Sequence, residues 1–143
     1  MKNVRVTANH IHDVMRTMDD GACIYTLSAA PGTRIDRNYC ADNNGHCGIY
    51  HDEGSREYAD IGNVFRDTSD WDHENSNATN NTGALTVTDN WTSNSSISLS
   101  DGQRGNVVTG TVVVSDGDWP RAARRGMDEA GVRGLNAQAA DGR

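Results

Sequence analysis

The sequence is poor in the residues that build ordinary hydrophobic cores and membrane spans. Hydrophobic side chains make up 35% of its 143 residues, and it contains one Phe and two Pro. Its apolar runs stay below the ~18 residues of a membrane-spanning helix. The polar stretch after Met1 lacks the apolar segment of a signal peptide. We therefore expect no membrane partner, and no signal peptide in this chain.

Positive charge is also scarce, since Lys2 is the only lysine and the net charge is −7. Nucleic-acid-binding proteins carry a basic patch or stripe, which this sequence lacks. The composition thus predicts no nucleic-acid partner, and the excess of Arg over Lys fits a GC-rich bacterial genome. Asp, Asn and Gly are abundant, and Asp and Asn favour turns over helix interiors. A helical bundle is excluded, and disorder would be expected if the apolar residues were not periodic.

The apolar residues recur in register with a repeated Asn. Five segments align on it: 4–9, 33–38, 58–63, 85–90 and 105–110. Asn9, Asn38, Asn63 and Asn90 share one position, with Gly110 in fifth place. Three positions earlier stand Val6, Ile35, Asp60, Val87 and Val107, and two positions later stand Ile11, Cys40, Phe65, Thr92 and Val112. Asp60 interrupts the first of these columns, and the neighbouring Ile61 indicates a local register shift.

Each repeat is a short β-branched strand, an Asn corner and a second short strand, recurring every 20 to 29 residues. One unit has too few apolar residues to form a core, so the units must stack. In parallel coils about 4.8 Å apart, the four Asn side chains would form a structural hydrogen-bonded ladder. We therefore predict an all-β fold, a right-handed parallel β-helix (a single-stranded β-solenoid) of about five coils in residues 1–116.

A second set of strands is visible in segments 22–26 and 47–51, which share an Ile-Tyr pair 25 residues apart. Alternation along a strand would send the two Ile residues to one face and the two Tyr residues to the other. Cys23 and Cys47 fall in this strand set, and Cys40 in a core column. At most one disulfide can form among three cysteines, and we expect buried thiols.

The two ends of the chain differ. Residues 117–132 are expected to form a C-terminal cap with a helix over 119–130 closing the column, because Asp118 suits an N-cap and Pro120 a first turn. Residues 133–143 are expected to be a disordered tail. The N-terminal end shows no cap, which predicts either missing N-terminal coils of a longer chain or self-association through that end.

Four stretches carry a resemblance to a known family. They are 9–14, 20–26, 48–55 and the end from Gly105 to Pro120. They resemble the C-terminal part of right-handed parallel β-helix proteins of the pectate-lyase-like superfamily, including β-helical glycoside hydrolases. The resemblance implies a secreted, extracellular protein whose partner is a polysaccharide or oligosaccharide. It departs at Cys23, because family members often have Asp-Gly-Gly-Ala-Ile-Tyr at that strand.

The resemblance implies a glycoside hydrolase with Asp20 and Asp52 as its pair of carboxylates, and Glu53 and Asp19 beside them. Aligning Tyr25 with Tyr50 separates the two carboxylates along the strands, whereas aligning 19–22 with 52–55 places them one coil apart. Both alignments stay open, as does a role for these acids in capping Gly turns. Hydrolysis needs carboxyl groups ~5–9.5 Å apart.

Further candidates surround this pair. His51 could orient a carboxylate or act as acid or base, and His46 lies just upstream. Tyr25 and Tyr50 could form an aromatic floor for a sugar ring, or a plain structural ladder. The alternatives to a hydrolase are a polysaccharide-binding module without turnover, an inactive truncated remnant, and a polysaccharide lyase.

A metal site is not expected. His10, His12 and Asp13 share one region, but two His and one Asp form no clear ligand pattern. We predict no cofactor, with Ca²⁺ the one cation that clustered Asp residues would suit.

Overall fold

The computed structural model describes residues 1–75 and 81–132. The described part of the chain forms short strands, one 3₁₀ turn at Gln103–Gly105 and one α-helix. The strands are β1 (Arg5–Thr7), β2 (His10–His12), β3 (Ala22–Thr26), β4 (Ala29–Asp36), β5 (Tyr39–Ala41), β6 (Cys47–His51), β7 (Arg56–Ile61), β8 (Val64–Arg66), β9 (Asp72–Glu74), β10 (Thr86–Thr88), β11 (Trp91–Thr92), β12 (Val107–Thr109) and β13 (Val112–Val113), and helix α1 spans Arg121–Glu129.

Successive strands enter different sheets, so the chain winds around one axis. Sheet A has the order β1-β4-β7-β10-β12, sheet B β2-β5-β8-β11-β13 and sheet C β3-β6-β9, with every strand pair parallel. The molecule is a parallel β-solenoid of about four turns, which confirms the predicted fold class. The predicted five coils are slightly too many, because the last unit supplies only β12 and β13.

The Asp60 column keeps its register. Ile35 pairs with Asp60, and Asp60 with Val87, so the expected shift to Ile61 does not occur. Asp60 is instead fully buried, at a position where the neighbouring turns carry Ile35 and Val87. A carboxyl group thus enters the core of the third turn.

The fifth repeat was aligned one residue too early. Val87 pairs with Val108 rather than Val107, and Thr92 pairs with Val113 rather than Val112. The error arises because this unit lacks an Asn at the corner. Gly110 matched the Asn column only by its turn character.

The four ladder Asn residues stand above one another at the corner between sheets A and B. Each Asn from Asn38 to Asn90 accepts two hydrogen bonds at Oδ1, from the backbone N–H and the side-chain amide of the Asn above it, at 2.8–3.1 Å. Asn38, Asn63 and Asn90 also donate to carbonyl oxygens of sheet A. The ladder therefore satisfies buried corner groups that a narrow core cannot leave unpaired.

The interior is a narrow apolar column between the three sheets. Its buried members are Ile24, Ala30, Ile35, Cys40, Ile49, Tyr58, Phe65, Trp71, Leu85, Val87 and Leu99. Cys23 and Cys40 form a disulfide between β3 and β5, which corrects the expectation of buried thiols. Cys47 keeps a free thiol. The sequence pointed to Cys47 as the neighbour of Cys23, but Cys47 pairs with Ala22 in the sheet.

Removing this disulfide with Cys23→Ala and Cys40→Ala together is expected to lower the free energy of unfolding by about 3 kcal/mol. The bond closes a loop of 17 residues, and a cross-link of that length restricts the unfolded chain by about this amount. Urea unfolding with and without a reductant measures the effect. Cys47→Ala is the control, and its stability should still fall on reduction. An equal response of the double variant to the reductant would contradict the expectation.

Helix α1 lies on the side of the solenoid rather than across its end. Ala123 and Ala130, with the partly buried Met127, pack against Tyr39 and Val64 of sheet B. The chain then returns to the first turn, where the Gly131 N–H donates to the Ala8 carbonyl at 2.8 Å. The expected cap is therefore wrong in position, because the apolar side chains of the helix pack on the outer face of sheet B. The predicted tail over 133–143 lies outside the described residues.

At both ends of the apolar column, hydrophobic side chains are incompletely covered. At the first turn, Val4, Val6, Ile24 and Ile35 contribute to a cavity of about 250 Å³. At the last turn, Val113, which continues the core column of Phe65 and Thr92, is exposed. Partners at the N-terminal end stay a prediction. Within the described residues no helix has the length and apolar character needed to span a membrane.

Candidate functional site

Sheet C presents a different chemistry on each of its two faces. On the outer face, Tyr25 pairs with Tyr50 and Tyr50 with His73, one ring per turn. On the inner face, the columns are Ile24, Ile49 and Asp72, and Thr26, His51 and Glu74. Because successive residues of a strand point to opposite faces, the same three strands build an exposed aromatic ladder and a buried polar cluster.

The rings of the outer ladder meet edge to face. The centroids of Tyr25 and Tyr50 lie 5.2 Å apart at 87°, and those of Tyr50 and His73 lie 4.8 Å apart at 90°. Tyr25 is 39% exposed, while the other two are half-buried. This geometry is favourable for aromatic pairs and leaves ring surface for a ligand.

Asp52 links the ladder to its neighbours at the C-terminal end of the strands. Its carboxylate accepts a hydrogen bond from the Tyr25 hydroxyl and another from the Asn75 side-chain amide at 2.6 Å. Burial raises the pKa of Asp52, but these bonds, with the Glu53 backbone N–H and the His73 ring, outweigh it and lower the pKa. Asp52 is thus ionised at neutral pH, and its hydrogen bond raises the pKa of the Tyr25 phenol.

Asp20 lies before β3, at the opposite end of the strands from Asp52. Tyr25 pairs with Tyr50, so the alternative alignment of 19–22 with 52–55 does not occur. Both carboxylates nevertheless act on the same two rings: the charges of Asp52 and Asp20 raise the pKa of the Tyr50 phenol after burial, and both contribute at Tyr25. The predicted pair of carboxylates therefore stands at opposite ends of the strands that carry the ladder.

The remaining predicted residues divide between the surface and the core. Asp19 and Glu53 are exposed, and His46 is half-buried in the turn before β6. His51, in contrast, is fully buried and faces the interior. It therefore cannot touch a ligand on the outer face, and alternation along β6 is the reason, since Tyr50 faces outward.

Sequence reasoning missed a cluster at the other end of the ladder. Cys47, Asp70 and His73 bring one sulfur, one carboxylate oxygen and one ring nitrogen within 4.8 Å of one another. Asp70 and His73 form a 3.0 Å contact, and burial raises the pKa of the Cys47 thiol. A protonated thiol is a weak nucleophile. The register of β6 and β9 could not be read from the sequence, because segment 72–74 has no Ile-Tyr pair.

The inner face of sheet C holds a buried polar cluster of His51, Asp60, Asp72 and Glu74, each at most 2% exposed. The His51 Nε2 lies 2.7 Å from Asp60 Oδ2 and 3.6 Å from Asp72 Oδ1. Asp60 reaches the cluster from sheet A, so the group spans the interior of the third turn.

The cluster is held by further hydrogen bonds. On the other side of the ring, His51 Nδ1 lies 2.9 Å from the Thr26 hydroxyl, which also contacts Ser55. Glu74 accepts a hydrogen bond from the Asn106 side chain at 2.8 Å. These contacts fix the ring plane of His51 and leave its Nε2 aimed at the carboxyl groups.

The charges of the cluster shift the pKa of its members. Burial lowers the pKa of His51, but the charges of Asp60, Asp72 and Glu74 and the hydrogen bond to Asp60 raise it to about 9. Burial raises the pKa of Asp72 well above its usual range, against the effect of His51. The interior of the third turn therefore favours positive charge at the ring and disfavours negative charge at Asp72.

One signal in the sequence could have revealed the cluster. Asp60 and Asp72 occupy positions that carry Ile or Val in neighbouring turns, and two acids in core columns of one turn indicate a site rather than a register error. His10, His12 and Asp13, the other candidate metal ligands, lie on sheet B and the turn after it. His10 stacks on Tyr39 at 4.7 Å, and His12 contacts Asp13 at the surface.

No protein-family model, curated protein or solved structure matches this chain. The fold is thus established by its own strand register, and the function must be argued from its faces.

Proposed function

We propose that the outer face of sheet C binds a polysaccharide chain. The observation that carries this proposal is the ladder of Tyr25, Tyr50 and His73, bordered by ionised Asp52. Aromatic rings pack on the apolar faces of sugar rings, and carboxylates accept hydrogen bonds from hydroxyl groups. The turns of a solenoid are about 4.8 Å apart, which is close to the length of one pyranose unit. Successive sugars can therefore contact successive rings of the ladder.

Two further features support this substrate class. The parallel β-solenoid architecture agrees with the resemblance to carbohydrate-active β-helical proteins of the pectate-lyase-like superfamily. The Cys23–Cys40 disulfide supports an extracellular location, because disulfides persist in oxidising compartments. The disulfide is independent of the ladder, whereas two of the stretches that carry the resemblance contain Tyr25 and Tyr50.

Hydrolysis is the second candidate function; the lowered pKa of Asp52 favours it, and the placement of Asp20 at the opposite end of the strands does not. The charges of both carboxylates raise the pKa of the Tyr25 and Tyr50 phenols. The lowered pKa of Asp52 suits a nucleophile or general base. Asp20 would then be the general acid. A lyase is less well supported, because the described residues of the ladder include no Lys or Arg to serve as base.

Tyr25→Ala and Tyr50→Ala are each expected to weaken polysaccharide binding by about tenfold, equivalent to about 1.4 kcal/mol. A panel of plant and bacterial polysaccharides, screened by affinity electrophoresis and then titrated by calorimetry, measures the effect. His12→Ala is the control, because His12 is an exposed aromatic on sheet B. Equal loss in the control, or no binding of any polysaccharide by the unmutated chain, would refute the proposal.

The same ligands separate binding from hydrolysis. If the chain is a hydrolase, Asp52→Asn should lower turnover by about a thousandfold while the polysaccharide stays bound. Asp20→Asn should also lower turnover by about a thousandfold. Turnover should recover with substrates whose leaving group needs no protonation, because Asp20 would be the general acid. If the unmutated chain binds a polysaccharide but releases no reducing ends from it, the protein is a binding module and the hydrolase hypothesis is excluded.

A further inference from the structure

We propose that His51, Asp60 and Asp72 form a buried site for one divalent transition-metal ion in the third turn of the solenoid. The site lies on the inner face of sheet C and is separate from the proposed polysaccharide surface. The proposed metal ligands are not part of that surface, so metal binding does not depend on whether the surface binds a sugar.

The distances suit a single ion. The three candidate ligand atoms all lie within 4.8 Å of one another, with Nε2 of His51 at 2.7 Å and 3.6 Å from the two carboxylates. Four tetrahedral nitrogen and oxygen ligands bind Zn²⁺ at about 2.0–2.2 Å, which puts neighbouring ligand atoms about 3.3–3.6 Å apart. The His51–Asp72 separation matches that range, and the shorter His51–Asp60 separation needs a small side-chain movement of Asp60 away from the ring.

Unpartnered oxygens are the second and independent observation. Asp60 Oδ1 and both carboxyl oxygens of Asp72 are buried and accept no hydrogen bond. Such groups are costly inside a protein unless they are paired or bind a metal. The same columns carry Val87 and Ile49 in adjacent turns, so packing does not require a carboxyl group at either position.

The histidine is oriented as a metal ligand should be. The Thr26 hydroxyl lies 3.4 Å from the Tyr50 carbonyl, to which it donates, so its lone pair can accept the Nδ1 proton of His51. In the metal-free protein Nε2 donates to Asp60; a bound ion would displace that proton to solvent, and with Nδ1 still protonated Nε2 would then direct its electron pair at the ion. A hydrogen bond at the far nitrogen is the usual support of a metal-binding imidazole.

The ligand set indicates the class of metal. One imidazole and two carboxylates suit Zn²⁺, Mn²⁺, Fe²⁺ or Co²⁺, whereas Ca²⁺ prefers oxygen ligands alone. The cluster is closed from solvent, so the ion would enter during folding and stabilise the core. Glu74 lies beside the site and adds negative charge that favours a cation.

The cluster of Cys47, Asp70 and His73 is the competing location for an ion. It is half-buried, and its Asp70 already contacts His73 and accepts a hydrogen bond from the Ser96 hydroxyl. Its ligand set includes sulfur, whereas the buried site offers only nitrogen and oxygen. This difference provides a spectroscopic test between the two.

The test refolds the full chain, with its disulfide intact, in the presence of Zn²⁺, Mn²⁺ or Co²⁺, followed by exhaustive dialysis and elemental analysis. We expect about one ion per chain and an upward shift of the melting temperature by about 5 °C or more. The isosteric variant Asp72→Asn should bind at least about tenfold more weakly. Cys47→Ser, the matched control, should keep the full metal content.

Cobalt distinguishes the two locations directly. In the buried site it should show only weak visible d–d absorption, whereas a Cys47 ligand would add an intense sulfur-to-cobalt band in the near ultraviolet. Three results would overturn the proposal: no retained metal in the unmutated chain, loss of the ion with Cys47→Ser but not with Asp72→Asn, or the sulfur band. Because the unmutated chain is itself measured, poor folding of a variant does not obscure the outcome.

Discussion

Replacing Asn63 with alanine is expected to lower the free energy of unfolding by about 3–5 kcal/mol, because it leaves several buried polar groups unpaired. Asn63 Oδ1 accepts from the backbone N–H and the side chain of Asn38, both at 3.0 Å. Its amide donates to the Ile35 carbonyl at 2.9 Å and to Asn90. Asn63 is fully buried, so water cannot replace these partners without opening the corner.

Asn9→Ala is the matched control for this experiment. Asn9 occupies the same column at the exposed first turn, and its backbone N–H still donates to Asn38 in the variant. The expected cost is below about 1 kcal/mol. Urea unfolding followed by tryptophan fluorescence and by circular dichroism measures both variants, and coincident curves justify a two-state treatment. Equal effects at Asn9 and Asn63 would show that the ladder is not a source of stability.

Replacing His51 with leucine is expected to lower the free energy of unfolding by about 3–5 kcal/mol. Without the ring, Asp60 loses its 2.7 Å contact and Asp72 loses the positive charge of His51, which opposes the rise of its pKa. If the site holds a metal ion, the substitution also removes the nitrogen ligand. The direction of the effect is thus the same in the metal-free and the metal-bound protein.

His73→Leu is the control for His51, because it lies in the same sheet one turn further along but on the half-exposed face. Its ion pair with Asp70 is partly solvated and should contribute at most about 1 kcal/mol. Adding Asp60→Leu to His51→Leu should recover part of the loss, since it removes one unpaired carboxyl group. Stability of His51→Leu equal to that of the unmutated chain would contradict the account of the cluster.

The repeat was readable from the sequence because stacked parallel strands place like residues above one another. The Asn positions predicted the register of the first four turns of sheet A, and the Ile-Tyr pair gave one of the two alignments of β3 with β6 that the sequence left open. The fifth unit failed where the Asn was missing. Local patterns thus predict register only while the repeat keeps its marker residue.

The candidate site was predicted less completely than the fold. Tyr25, Tyr50 and Asp52 do border one surface, but His51 was grouped with them through adjacency in the chain. Neighbouring residues of a strand face opposite sides of a sheet, so Asp52 stands at the outer ladder and His51 in the core. Cys47, Asp70 and His73 come together only through the pairing of β6 with β9.

Asp60 is the clearest example of the difference between what the sequence predicts and what only the tertiary structure determines. The sequence alone determined a parallel β-solenoid with an Asn ladder, because a periodic chain poor in hydrophobic residues can bury its apolar side chains only by stacking its units. The tertiary structure alone decided that the acids of the third turn stay in register and meet His51, that Cys40 rather than Cys47 bonds to Cys23, and that the helix covers sheet B. These outcomes depend on distances between different strands, which a one-dimensional pattern does not contain.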